Sequence, residues 1–219
     1  MVTMAGRVAR AERAGATRES ILATAERLFA EHGVFAVSNR QVSEAAGQGN
    51  NAAVGYHFGT KADLVRAIVR RNSEQVEGVR VRMLAELGDS PDLRDWLACL
   101  VRPSAEHLAA LGDLTWYARF GAQVMTDPVF REIMVEESLT SPSLQQVLDG
   151  LNRCLPDLPA EVRAERGDMA RQLMTHMYAE RERALAEGTP TPRSSWHDAA
   201  TGLIDALVGL WLAPVTSCP

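Results

Sequence analysis

Apolar residues recur at helical spacing along most of this chain, in stripes separated by short polar breaks, which predicts an all-α fold. Ile21, Leu22, Ala25, Leu28 and Phe29 form the first stripe, leaving Arg18, Glu19, Glu26 and Arg27 for solvent. Ser38 suits an N-cap with Arg40 in the first turn, and Gly47 breaks the short helix that follows. A small-residue-rich segment, Ala52-Ala53-Val54-Gly55, then leads into Tyr56-His57-Phe58. Thr60, with Asp63 three residues on, opens a long helix by a variant of the capping box. Leu64, Ile68, Val76, Val79, Met83 and Leu87 carry it to Gly88. Ser90-Pro91 and Asp127-Pro128 each open another helix, with proline at its first position. Pro156 and Pro159 bracket a break before a helix of about 160–187. The loop Thr189-Pro190-Thr191-Pro192 separates that helix from a last one, about Ser195 to Leu212. Nothing alternates in the manner of a strand.

Two short helices joined by a turn containing glycine are the sequence form of a helix-turn-helix, whose second helix enters a DNA major groove. Residues Arg18 to Leu64 resemble the DNA-binding domain of the TetR family of bacterial transcriptional regulators. The resemblance rests on Ile21-Leu22, Ala25, Leu28-Phe29, Gly33, Ser38, Val42, Ala45-Ala46-Gly47, Tyr56-His57-Phe58, Lys61 and Leu64. Beyond this first third, only length, helical content and the style of the helix from Ala199 to Leu212 are similar. One departure stands out: Gln48 to Gly55, between Gly47 and Tyr56, is a longer stretch than is commonest in the family. It lengthens the turn around Gln48-Gly49 and leaves open where the reading helix starts.

Residue chemistry gives each DNA contact a role. Gln48, Asn50 and Asn51 can pair with adenine through two hydrogen bonds, and Ala52 or Ala53 can touch a thymine methyl. Gly49-Asn50-Asn51 is equally good turn chemistry, so shaping the turn stays open as their role. Ser38 and Arg40 stand at a helix start, where N–H groups and the dipole favour a phosphate. Tyr56 and His57 are expected on phosphates, from the resemblance and from their donors. Lys61, the only lysine in the chain, is at the family's usual phosphate-binding position. Arg18 completes the expected set.

Charge supports one DNA-facing end. The chain's net charge is −5, yet residues 1–72 hold 10 basic and 6 acidic groups whereas residues 73–219 hold 13 and 22. DNA affinity depends on local phosphate neutralisation, so the acidic body favours docking by the N-terminal face alone. Residues 1–16, rich in Ala, Gly and Arg, read as a flexible basic arm whose Arg7, Arg10 and Arg13 reach a phosphate or the minor groove. The expected organisation is this arm, a DNA-binding domain over 17–63, and a ligand-binding and dimerisation domain over 64–219. With 219 residues and 46% apolar content there is enough chain for such a core, and no apolar run is long enough to span a membrane. No apolar run follows the N-terminal arginines, so no secretory signal is expected. Cys99, Cys154 and Cys218 are odd in number and widely spaced, which fits a reducing cytoplasm and argues against a zinc site.

In the body, Trp96, Trp116, Tyr117, Phe120, Met125, Met174 and Met177 are the expected wall of a pocket for a small, largely apolar effector. Thioethers repack and rings offer area, although the same residues also fill ordinary cores. The last helix is apolar over much of its surface through Leu203, Ile204, Leu207, Val208, Leu210 and Trp211. Paired with residues around Met169, Leu173, His176 and Met177, it would supply half of a four-helix bundle in a homodimer. Catalysis finds little support, because the five histidines lack metal-ligand spacing and no phosphate loop or nucleophile elbow is present. Glu136-Glu137 and Arg181-Glu182-Arg183 read as solvated helix faces. No cofactor or metal is expected. The resemblance therefore implies a cytoplasmic, sequence-specific regulator, a repressor released from a near-palindromic operator by its effector. A helical ligand carrier or enzyme, a protein-recruiting module and an activator stay open as alternatives.

Overall fold

The computed structural model describes residues 4–112 and 114–216, with side chains from Ala11 onward. Arg7 and Arg10 lie outside the described side chains, and Cys218 lies outside the described residues. The described residues form ten helices and no strand: α1 Met4–His32, α2 Asn39–Ala45, α3 Ala53–Phe58, α4 Lys61–Leu87, α5 Leu93–Leu111, α6 Tyr117–Thr126, α7 Pro128–Leu139, α8 Pro142–Cys154, α9 Ala160–Ala186 and α10 Trp196–Leu212. The all-α expectation holds. The arm over 1–16 needs correction, because from Met4 onward it continues α1. Its Ala, Arg and Glu residues are good helix formers even without an apolar stripe.

Local signals set several ends as expected. Ser38 and Thr60 both close complete capping boxes, with Gln41 and Asp63 respectively. Asp127 caps α7 with Pro128 in its first turn, and Ser195 caps α10. The start of α5 differs: Asp92, rather than Ser90, accepts the N–H of Arg94, so Pro91 precedes the helix.

Two apolar cores result. The first gathers Ile21, Leu22, Ala25 and Phe29 of α1 with Val42, Val54, Leu64 and Ile68, and it takes in Phe120 and Val124 of α6 and Phe130 and Ile133 of α7. Phe29 and Phe120 stack with ring centroids 6.3 Å apart. The second core joins Leu84 of α4 to Trp96, Leu97 and Leu108 of α5, Val147 and Leu151 of α8, and Ile204 and Leu207 of α10. Helix α4 contributes to both, so it ties the N-terminal helices to the body. Among the described residues, no helix is long and apolar enough to cross a membrane.

Three groups of residues expected in solvent are buried instead. Glu26 is only 7% exposed and accepts from Arg71 at 2.7 Å and from Asn72 at 3.0 Å. Glu137 holds both Arg66 and Arg70, at 2.8 and 2.7 Å, so α7 clasps α4. Glu182, 1% exposed, accepts from Thr115 Oγ1, the N–H groups of Ala118 and Arg119, and Arg119 Nε. It caps α6, which has no side-chain cap at its own start. Its neighbour Arg181 is also buried, donating to the Arg193 carbonyl at 2.7 Å. The reason is common to the three carboxylates: a buried charge is tolerated when its partners, here distant in sequence, satisfy it.

Candidate nucleic-acid interface

The reading pair is built from very short helices, so tertiary contacts must hold it. Isolated helices under about 12–15 residues are marginal in water. Helix α2 has seven residues and α3 has six. Val42, Ala53 and Val54 fill the first core from their inner faces. Ser43, fully buried, joins the two helices: its Oγ donates to the Asn39 carbonyl at 3.0 Å and accepts the Val54 N–H at 3.3 Å. Sequence reasoning missed this residue. Its only signal was a hydroxyl on the inner side of α2, which does not reveal its partner 11 residues on.

Helix α3 starts at Ala53, which locates the lengthened turn before it. Two of the expected base-reading residues serve that turn. Gln48 Nε2 donates to the Ala46 carbonyl at 3.0 Å, and Asn50 Oδ1 accepts the Ala52 N–H at 2.9 Å. Asn51 and Ala52 are both exposed, and the Asn51 amide makes no hydrogen bond among the described residues. Tyr56 projects outward with 81% exposure, and half-buried His57 meets its ring edge-on at 5.0 Å.

Several expected phosphate ligands are already engaged within the chain. Arg18 Nη1 donates to the His57 carbonyl at 2.9 Å and its guanidinium lies 4.2 Å from the Phe58 ring centroid, which fastens α3 to α1. Lys61 Nζ donates to the carbonyls of Val34 at 3.0 Å and Phe35 at 3.4 Å, and partial burial lowers its pKa. An ammonium has three hydrogens, so one remains for a phosphate. Arg40 Nε pairs with Glu44 at 2.7 Å on the exposed face of α2. Ser38 Oγ accepts the Gln41 N–H at 3.2 Å, as a cap does. The structure thus brings all ten residues into one region of α1–α4, some as scaffold and others facing outward.

The seven expected effector residues do not form one wall. Trp96 fills the second core: its Nε1 donates to the Ser90 carbonyl at 2.9 Å, and a Cβ added at Gly150 would lie 2.2 Å from its ring. Met174 packs at the edge of the same core, whereas Met177 is 54% exposed on α9. Trp116 and Phe120 belong with the first core, Tyr117 borders both, and Met125 is half-buried on α6. Two open clefts lie elsewhere. One of about 420 Å³ runs between α1, α3 and α4, beside Arg18, His57, Arg66 and Arg70. The other, of about 650 Å³, lies along α9 and α10 and is lined by Met169, Leu173 and Leu210 with Glu165, Asp168 and Gln172.

Residues 21–68 match the model described as bacterial regulatory proteins, tetR family, and residues 98–209 match the Tetracyclin repressor-like C-terminal domain. Together these take in most of both cores. The chain belongs to the TetR family. Among similar curated proteins, the HTH-type transcriptional repressor AcnR of Corynebacterium glutamicum is 28% identical over 61% of this chain and 60% of its own length. The protein of the same description from Corynebacterium efficiens is 29% identical over 52% of this chain and 54% of its own. The matched region thus spans little more than half the length of these relatives. A crystal structure of the TetR family regulator PfmR from Thermus thermophilus shares the fold, with a TM-score of 0.54 at 18% identity, covering 90% of this chain and 96% of that one.

Proposed function

We propose that this protein is a sequence-specific DNA-binding transcriptional repressor acting in the cytoplasm as a homodimer. The observation that carries the reading is the braced α2–α3 pair, whose inner residues are spent on packing while Asn51, Ala52 and Tyr56 face outward. The curated relatives named as repressors support the direction of regulation. In this reading Asn51 and Ala52 meet base edges. Tyr56, His57, Lys61 and the start of α2 at Ser38 and Arg40 meet phosphates, and Arg18, Gln48 and Asn50 shape the surface. The working division is a DNA-binding unit over about 17–63 with its N-terminal helical extension, and a body over about 64–219.

Dimerisation through α9 and α10 fits their outer faces, where Met169 and Met177 are exposed and Leu173, Val208 and Leu210 half-buried. Two-fold symmetry would present two reading heads to half-sites about 34–36 Å apart. A small apolar effector, entering beside Trp116, Tyr117 and Phe120 on α6, would act on the head through the Phe120–Phe29 stack. Such coupling needs about 1–3 kcal/mol. Selection of bound duplexes from a random pool tests the proposal. An enriched inverted repeat supports it; tight small-molecule binding with no enriched sequence would favour a helical carrier or enzyme.

A further inference from the structure

A line of buried and half-buried polar groups crosses between the two cores. Glu26 on α1, Arg71 and Asn72 on α4, and His107 on α5 make it up, and Tyr117 of α6 meets the His107 ring edge-on at 5.6 Å. Glu26 Oε2 accepts from Arg71 Nη2 at 2.7 Å and from Asn72 Nδ2 at 3.0 Å. The same Nδ2 donates to the Ile68 carbonyl at 3.0 Å. With both amide hydrogens committed, Asn72 Oδ1 can only accept, and it lies 2.8 Å from His107 Nε2. The ring therefore carries its hydrogen on Nε2, and in the neutral form its Nδ1 is bare.

A second ring proton would arrive in an unfavourable place. His107 is 7% exposed, and burial, then the charge of Arg71, holds its pKa below the ordinary imidazole value. The carboxylates nearby are already engaged. Glu26 is held by Arg71 and Asn72, and Glu182 of α9 by Arg119 at 3.1 Å. Tyr117, pushed up to about 12 chiefly by burial, stays neutral. We propose that this line is a proton-operated latch between the N-terminal helices and the body, in which a second proton on His107 drives the ring from its buried seat, releases Asn72 and loosens α5 from the middle of α4 there, while both cores stay folded.

The sign follows from linkage. A base whose pKa is lowered in the latched state favours that state above its ordinary value of 6.5, and the advantage is lost as pH falls from there through the latched-state value. Between the two values the opening constant rises by up to about tenfold per pH unit. Glu26 works in the opposite sense, because burial, against Arg71 and Asn72, raises its pKa. Its contribution is present below 4.5 and lost as pH rises through the raised value. The latch stands whether or not DNA is the ligand of the head.

Hydrogen exchange on the full chain between about pH 5.5 and 7.5, beside the ring titration of His107 by NMR, tests it. The expected result is a His107 midpoint below 6.5. Protection around Glu26 and His107 should then fall by up to about tenfold per pH unit, with amides around Leu207 in α10 unchanged. His107→Gln, whose amide can still donate to Asn72, should flatten that profile, whereas Glu26→Gln should keep it. A His107→Gln profile parallel to wild type, or equal loss of protection in α10, would overturn the latch. Should His107→Gln fail to fold, the wild-type ring decides: a midpoint at or above 6.5 overturns it, and a lower one tracking the exchange supports it.

Discussion

Replacing Ser43 by alanine removes one oxygen from the junction of α2 and α3, and the structure says what that oxygen does. It accepts the Val54 N–H at 3.3 Å in a position with no access to water, since Ser43 and Val54 are both fully buried. Alanine leaves that N–H without a partner, which costs about 1–3 kcal/mol. The lost bond to the Asn39 carbonyl adds little, because α2 keeps that carbonyl near other donors. A six-residue α3 has few internal bonds with which to compensate. Urea unfolding should therefore show the Ser43→Ala midpoint lowered with an unchanged slope. DNA affinity should fall as α3 loses its seat, yet the dependence of affinity on salt should stay as in wild type, because no phosphate contact is removed. Wild-type stability in Ser43→Ala would refute the argument, and a flattened salt dependence would show that Ser43 acts on DNA directly.

Lys61→Ala should weaken binding to all duplexes alike and reduce the salt slope by about 0.9, as one lost phosphate contact does, with some loss of stability from the freed Val34 carbonyl. Filter binding over a salt series reads both, and an unchanged slope would assign Lys61 to the α1–α2 loop alone. Asn51→Ala should relax base preference by about 1–3 kcal/mol at one position; equal losses on specific and random DNA would remove it from the base-reading set. Gly150→Ala puts a methyl 2.2 Å from the Trp96 ring and should lower the melting temperature through about 1–3 kcal/mol of overpacking. A melting curve matching wild type would mean that α8 shifts freely. Met177→Asp places a charge on the exposed face of α9 and should yield monomers in sedimentation velocity; an undisturbed dimer would put the interface elsewhere.

The helix-turn-helix was legible because its signals are local. Ser38 with Gln41 and Thr60 with Asp63 declare helix starts within four residues, and α1 shows its buried stripe by period alone. Helix α6 gives no such notice, since Trp116 at its start offers no cap and the cap comes from Glu182, 64 residues away from Ala118. Glu26 and Glu137 mislead for the same reason: their guanidinium partners are 45 and 67–71 residues distant. Ser141-Pro142, by contrast, is as good a start signal as Asp127-Pro128, and α8 begins there. Within the interface, residue type marks which side chains can hydrogen-bond but not whether they are free to do so. Gln48 and Asn50 carry the same chemistry as Asn51 and spend it on the turn.

The most direct test of the central claim is the affinity of the wild-type protein for an enriched inverted repeat and for a scrambled duplex, each titrated against salt. Recognition through α3 predicts binding to the repeat at least about a thousandfold tighter than to the scramble, with both affinities falling steeply as salt rises. Equal affinity for the two duplexes at every salt concentration would contradict it.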